Sequence, residues 1–126
     1  MEKYIENKLS IIIPTYNEAE NIVKLLNEII AVLDNKNFEI IVVDDDSKDS
    51  TASIIINNFK NEKRIKLIQR RQRRDLVQSI KLALQTISGS NFLVMDGDGQ
   101  HDPKDIPSTL ELLKNNDLVI GTRNLR

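Results

Sequence analysis

An α/β fold, with a mostly parallel sheet and helices on both of its faces, is predicted by three observations. The 126-residue chain is 40% hydrophobic and 29% charged, the balance of one globular domain. It holds five short, nearly continuous apolar runs rich in β-branched residues, the pattern of strands buried on both faces. Between the runs, apolar residues recur at helical spacing. Alternation of strand and helix along a chain builds parallel sheets through right-handed crossovers.

The elements follow in order. SIIIP (10–14) predicts a first strand. Ile22, Leu25, Leu26, Ile29, Ile30 and Leu33 fall at i, i+3, i+4, i+7, i+8 and i+11, one apolar helical face. Asn17 is the expected N-cap of that helix, with Glu20 three residues on as in a capping box. FEIIVVD (38–44) predicts the second strand, and Ser50 or Thr51 opens a second helix through Phe59. RIKLIQ (64–69) is a third strand. Leu76, Ile80, Ala83, Leu84 and Ile87 make a third helical stripe, expected to stop near Gly89. NFLVMD (91–96) is the fourth strand. Asp102-Pro103 caps and opens a fourth helix carried by Ile106, Leu110 and Leu113, and DLVIG (117–121) is a fifth strand.

The result is a Rossmann-like order, β-α-β-α-β-α-β-α-β, without repeats, low-complexity segments or linkers. Ligands of such sheets bind beyond the carboxyl ends of the strands. The three most unusual stretches lie there: Pro14-Thr15-Tyr16-Asn17-Glu18, Asp44-Asp45-Asp46-Ser47, and Asp96 to His101.

Asp96, Asp98 and Gln100 offer oxygen ligands only, which suits a hard divalent cation such as Mg²⁺ or Mn²⁺ that keeps places for substrate phosphates. Gly97 and Gly99 allow close approach and unusual dihedrals. The alternative is an acidic turn capping the next helix. A calcium loop of the EF-hand type is excluded, because His101 falls where glycine is required and Pro107 where glutamate is required. Asp44 ends a buried strand, where it can accept bonds from a ribose or a base, while Asp46 and Asp49 also suit a helix N-terminus. Tyr16 is either a flat face for a base or a packing residue. Glu18 is either an acceptor for base nitrogens or a first-turn acid. His101 is the single histidine, so a Ser-His-Asp site is not expected, and neither common glycine-rich phosphate loop is present.

The formal net charge is −1 and predicts no nucleic-acid partner. Lys60, Lys63, Arg64, Lys66, Arg70, Arg71, Arg73 and Arg74 crowd residues 60–74, a solvated face or a contact with phosphate or anionic membrane. The chain has no cysteine, which excludes disulfides and thiolate chemistry. No run approaches the roughly 20 apolar residues of a membrane span, and MEKYIENKLS lacks a signal-peptide core. A cytoplasmic location is expected, with membrane contact only from the surface.

Four segments, IIIPTYNEAENI (11–22), IIVVDDDSKDST (40–51), FLVMDGDGQHDPKDIP (92–107) and VIGTRN (119–124), resemble in order the family-2 glycosyltransferases of the GT-A fold. The likeness is strongest to polyprenyl-phosphate sugar transferases. The resemblance implies a metal-dependent, inverting transfer of a sugar from a nucleotide diphosphate sugar, GDP- or UDP-linked, to a polyprenyl or dolichyl phosphate. It implies that Pro14, Tyr16 and Glu18 line the base pocket and that Val42 and Asp44 contact base or ribose. Asp96, Gly97 and Asp98 would hold the ribose–diphosphate, with Asp96, Asp98 and Gln100 on the metal. Arg123 would contact the diphosphate or the acceptor phosphate. Asp75 stands where relatives carry glycine. Relatives continue well beyond the GTR motif, so residues 1–126 are expected to be the donor-binding part without the acceptor half. The rival reading is a non-catalytic nucleotide-sugar-binding fragment or one half of a split enzyme. Self-association, or a partner supplying the missing half, is expected to cover the apolar edge.

Overall fold

Four parallel strands, placed side by side in the order β3-β2-β1-β4, form the sheet of the computed structural model, which describes residues 4–116. They are β1 (Ile5–Thr15), β2 (Phe38–Asp45), β3 (Ile65–Arg70) and β4 (Gly89–Val94). The helices are α1 (Ile22–Leu33), α2 (Thr51–Phe59), α3 (Leu76–Leu84) and α4 (Ile106–Leu113), the last entered through a 3₁₀ turn at Pro103–Asp105. The predicted strand at 117–121 lies outside the described residues. Among the described residues no helix is long and apolar enough to cross a membrane.

Alternation along β1 and β2 divides the core into two layers. Ile11 and Ile13, with Ile40 and Val42, face α1, α2 and α4, meeting Leu26, Ile29, Ile55 and Ile106. Ile12, Ile41 and Val43 face the other way, toward Ala83 of α3 and its neighbours Leu84 and Ile87. β2 is buried along its whole length, as its unbroken apolar run requires.

Several boundaries differ from expectation, each for a local reason. β1 begins at Ile5 rather than Ser10, because residues before the apolar run still pair with β4: Ile5 lies opposite Gly89, and its N–H donates to Ser88 O, just before that strand, at 2.6 Å. Helix α3 ends at Leu84, and Gly89 begins β4 instead of capping the helix. A Cβ at Gly89 would lie 2.5 Å from the Lys8 carbonyl, so the glycine is needed where two strands meet. Asn17 does not cap α1. That helix starts after Asn21, and Glu20 forms no capping box.

The amino ends of the strands are tied by a buried carboxylate that the sequence patterns did not reveal. Glu39, 2% exposed, accepts from Ser10 Oγ at 2.6 Å, Lys66 Nζ at 2.8 Å and Ser88 N–H at 2.6 Å. Burial alone would push its pKa up, but the bonds from Lys66, Ser10 and Ser88 outweigh burial and lower it to about 2. One side chain thus links β1, β2, β3 and the start of β4.

The basic run does not form one patch. Lys66 serves Glu39, and Arg64 pairs with Glu62 at 2.8 Å and stacks on Phe38. Arg70 to Arg74 emerge at the opposite end of β3, roughly 20 Å away for a strand of this length. The basic residues of 60–74 thus fall into two groups at the two ends of an edge strand.

Candidate functional site

The loops after β1 and β2 are laced together. Asn17, at φ +55°, donates its N–H to Ser47 Oγ at 2.9 Å, and its Oδ1 accepts from Lys48 N–H at 2.8 Å. Ala19 N–H returns a bond to Asp49 Oδ2, and Glu18 N–H bonds Thr51 Oγ1 at 2.9 Å. Asp44 lies beneath, 3% exposed, accepting from Thr15 Oγ1 at 2.9 Å, Ser47 N–H at 3.1 Å and Ser47 Oγ at 2.5 Å. In this structure Asp44 braces two loops. Val42 is fully buried on the α1 side of the sheet, and its side chain presents no surface to a nucleotide. Three residues before the end of β2, strand alternation points the Val42 side chain into the core, so a contact with base or ribose would come from its backbone.

The loop after β4 closes on the first loop. Gly97 is buried, and a Cβ there would meet Thr15 Cγ2 at 2.9 Å and Glu18 Cγ at 3.3 Å. Glycine at 97 therefore lets the two loops touch. Gly99 sits at φ +80° in open space, where its conformation and not its size is required. Asp98 Oδ1 accepts from Gln100 N–H at 2.9 Å, tightening the turn. His101 Nδ1 accepts from Asp96 N–H at 3.2 Å, and its Nε2 lies 3.9 Å from Asp96 Oδ2. Asp102 caps the next turn by accepting from Lys104 N–H. Gln100 and His101 also line a cavity of about 430 Å³ against Glu28, Ala31 and Val32 of α1.

Carboxylates dominate this corner. Burial raises the Glu18 pKa, a bond from Asn21 opposes it, and the charges of Asp98, Asp49 and Asp96 push it further up. Among the described residues no lysine or arginine pairs with Asp96 or Asp98. Oxygen donors with uncompensated charge fit a hard divalent cation. Among the described residues no three His, Cys, Asp or Glu side chains form a ready metal cage, so a cation here would rest on two carboxylates and leave places for other ligands.

A second feature was not anticipated from the sequence. Loops after β1 and β2 lead to helices on one face, while the loop after β3 leads to α3 on the other. Adjacent strands whose loops part in this way open a crevice at their carboxyl ends. A cavity of about 370 Å³ lies there, lined by Tyr16, Asp45, Asp46, Arg71, Arg73 and Arg74 among others. Asp45, 4% exposed, holds Arg70 Nη1 at 2.7 Å and Asp75 N–H at 2.6 Å, and Arg70 Nη1 also reaches the Arg73 carbonyl at 2.6 Å. The Arg74 guanidinium lies 4.2 Å from the centre of the Tyr16 ring. The usable signal was position: these arginines follow a strand's carboxyl end. Asp75 needs no glycine conformation, because its φ of −157° is extended backbone and its side chain caps α3 through Gln78 N–H.

The structure thus brings Pro14, Tyr16, Glu18, Asp44, Gly97, Asp96, Asp98 and Gln100 to the carboxyl end of one sheet. Arg123 lies outside the described residues.

Comparison with known proteins agrees with this architecture. A Pyrococcus furiosus protein named dolichol-phosphate mannosyltransferase is 40% identical over 120 residues, covering 94% of this chain and 34% of that protein. Among solved structures, the Pyrobaculum calidifontis mannosyltransferase in complex with GDP-Man and Mn²⁺ matches with a TM-score of 0.69 and 27% identity, over 79% of this chain and 30% of the other. Staphylococcus aureus TarS 1-349 in complex with UDP-GlcNAc matches with a TM-score of 0.67 and 29% identity, over 86% and 31%. The chain therefore spans about a third of the length of these relatives. The profile described as Glycosyl transferase family 2 matches residues 10–126, and with the GT-A architecture above it shows that the chain belongs to glycosyl transferase family 2.

Proposed function

We propose that this chain is the donor-binding part of an inverting glycosyltransferase that moves a sugar from a nucleotide diphosphate sugar to a polyprenyl phosphate. The observation that carries the reading is the meeting of the Pro14–Glu18 and Asp96–Gln100 loops through Gly97, with Asp96 and Asp98 unpaired by any described lysine or arginine. The ligands of the two solved relatives, GDP-Man with Mn²⁺ and UDP-GlcNAc, support a nucleotide-sugar donor. The name of the Pyrococcus relative supports a polyprenyl-type acceptor.

In this mechanism Tyr16, Pro14 and Glu18 receive the base, and Asp44 holds their loop against the next one. Asp96 and Asp98 would carry the cation at the diphosphate, with Gln100 as a further ligand. A bound Mg²⁺ or Mn²⁺ supplies charge neutralisation to the departing diphosphate. The acceptor phosphate oxygen forms its bond to the anomeric carbon as the carbon–oxygen bond to the diphosphate breaks on the opposite face, inverting the centre. A phosphate acceptor is already anionic near neutral pH and needs no general base. The rate then rests on positioning and electrostatics. Arg123 would meet the diphosphate or the acceptor phosphate. A polyprenyl acceptor places the reaction at a membrane surface, where the cytoplasmic face is the expected side.

The test is calorimetric titration with GDP and with UDP, each with and without Mn²⁺, on the wild type and on Asp98→Ala. Metal-dependent binding of one nucleotide, lost in the variant, supports the site and names the base. No binding of either nucleotide overturns it. Turnover with the matching sugar nucleotide and a short polyprenyl phosphate then separates a catalytic chain from a binding fragment.

A further inference from the structure

The loop that carries Asp96, Asp98 and Gln100 is anchored at both ends. On one side the sheet's last ladder bond runs from Met95 N–H to Ile12 O at 2.9 Å. On the other, Asp102 accepts from Lys104 N–H at 3.0 Å, and the buried Pro103 opens the 3₁₀ turn into α4. The Asp96 N–H is the first amide beyond the ladder, and its partner is a side chain: His101 Nδ1, at 3.2 Å. Inside the ring so closed, Asp98 Oδ1 accepts from Gln100 N–H at 2.9 Å. Because Nδ1 is the acceptor, the proton of the neutral imidazole sits on Nε2. Nε2 lies 3.9 Å from Asp96 Oδ2, too far for a hydrogen bond. His101 therefore grips the backbone of Asp96 and leaves its carboxylate open to other partners.

We propose that His101 is the clasp of the cation loop, a positioning residue that keeps Asp96 to Gln100 closed before a divalent cation arrives. This rests on the donor-site reading. His101 is not itself a ligand, because its one acceptor nitrogen is taken by the Asp96 amide. The loop contains Gly97 and Gly99, and glycine loses more conformational freedom on ordering than any other residue. A cation that met an open loop would bear that ordering cost, and a loop already closed spares it. The clasp thus acts on cation affinity through the backbone, from outside the set of candidate ligands.

The experiment compares wild type with His101→Ala, His101→Asn and His101→Gln. Calorimetry follows Mn²⁺ binding in the presence of GDP or UDP, and nucleotide binding at limiting and at saturating Mn²⁺. Hydrogen exchange of the Asp96 amide is read by NMR on the metal-free protein. The asparagine carbonyl oxygen stands where Nδ1 does, and that of glutamine stands nearer Nε2. The His101 side chain is 45% exposed, so these changes leave no hole in the core and the variants should fold. His101→Ala should weaken Mn²⁺ about tenfold, the low end for losing a group that orients metal ligands. Nucleotide affinity should fall at limiting Mn²⁺ and return to the wild-type value at saturating Mn²⁺. His101→Asn should recover most of the Mn²⁺ affinity and the protection of the Asp96 amide, and His101→Gln neither. Equal Mn²⁺ affinity in wild type and His101→Ala overturns the clasp, as does an unprotected Asp96 amide in the wild type. So does a His101→Asn no better than His101→Ala, or a loss of nucleotide affinity that saturating Mn²⁺ leaves in place. If the wild type protects the Asp96 amide yet binds neither nucleotide nor Mn²⁺, the donor-site reading fails, and the clasp's part in cation binding fails with it.

Discussion

Replacing Glu39 by glutamine should separate the electrostatic part of the sheet's stability from its hydrophobic part. The carboxylate is 2% exposed, and its pKa is lowered from an ordinary 4.5 to about 2. Because the folded value is depressed, the contribution is complete above the unfolded pKa and is lost as pH falls through the folded one. A shift of this size is worth about 3 kcal/mol at pH 7 and about half of that at pH 3. Glutamine keeps the shape but loses the charge-assisted bonds from Lys66 and the Ser88 amide. Urea unfolding followed by circular dichroism, at several pH values between 3 and 7, gives the difference directly. The Glu39→Gln variant should be less stable than wild type by about 3 kcal/mol at pH 7, with about half of that gap gone at pH 3. A gap that stays constant with pH would refute the assignment of this stability to the ionised carboxylate. A gap under about 1 kcal/mol at pH 7 would show that its desolvation cost cancels its bonds.

Other expectations concern the opposite end of the sheet. Gly97→Ala places a Cβ 2.9 Å from Thr15 Cγ2 and should cost about 1–3 kcal/mol in thermal or denaturant unfolding, with the loops forced apart. Asp46 sits at φ +58° with an exposed ion pair to Lys48, so Asp46→Gly should be neutral or stabilising by up to about 1 kcal/mol. Asp46→Val should instead lose more than about 1 kcal/mol, and equal effects of the two changes would count against backbone strain. Glu18 has a raised pKa, so its favourable contribution is present at acid pH and lost as pH rises through the folded value. Glu18→Gln should therefore raise the melting temperature at pH 7 but not at pH 4. An unchanged melting temperature at pH 7 would mean that the acidic corner carries no repulsion at that residue.

Periodicity and spacing by themselves determined the order of the described elements, the parallel sheet, and the three polar loops at its carboxyl end. Those features follow from local rules: continuous β-branched runs must be buried on both faces, and stripes at helical spacing must pack on a sheet. The Asp96–Gln100 loop was legible because two carboxylates separated by glycine have no reason to end a core strand. What only the tertiary structure decided depends on residues far apart in the chain. Asn17 binds the loop after β2 instead of capping its own helix, since its φ of +55° turns its amide toward Lys48 and Asp49. Val42 proved a core residue, because strand alternation fixes its face whatever motif surrounds it. Glu39 acquired four neighbours only when the amino ends of the strands came together. The basic run read as one feature in the sequence and as two in space, because a strand carries its halves to opposite ends of the sheet. Arg74 reached Tyr16 across 58 positions of sequence, from the loop after β3 past the end of β2 to the loop after β1, because parallel strands bring their carboxyl ends to one side of the sheet.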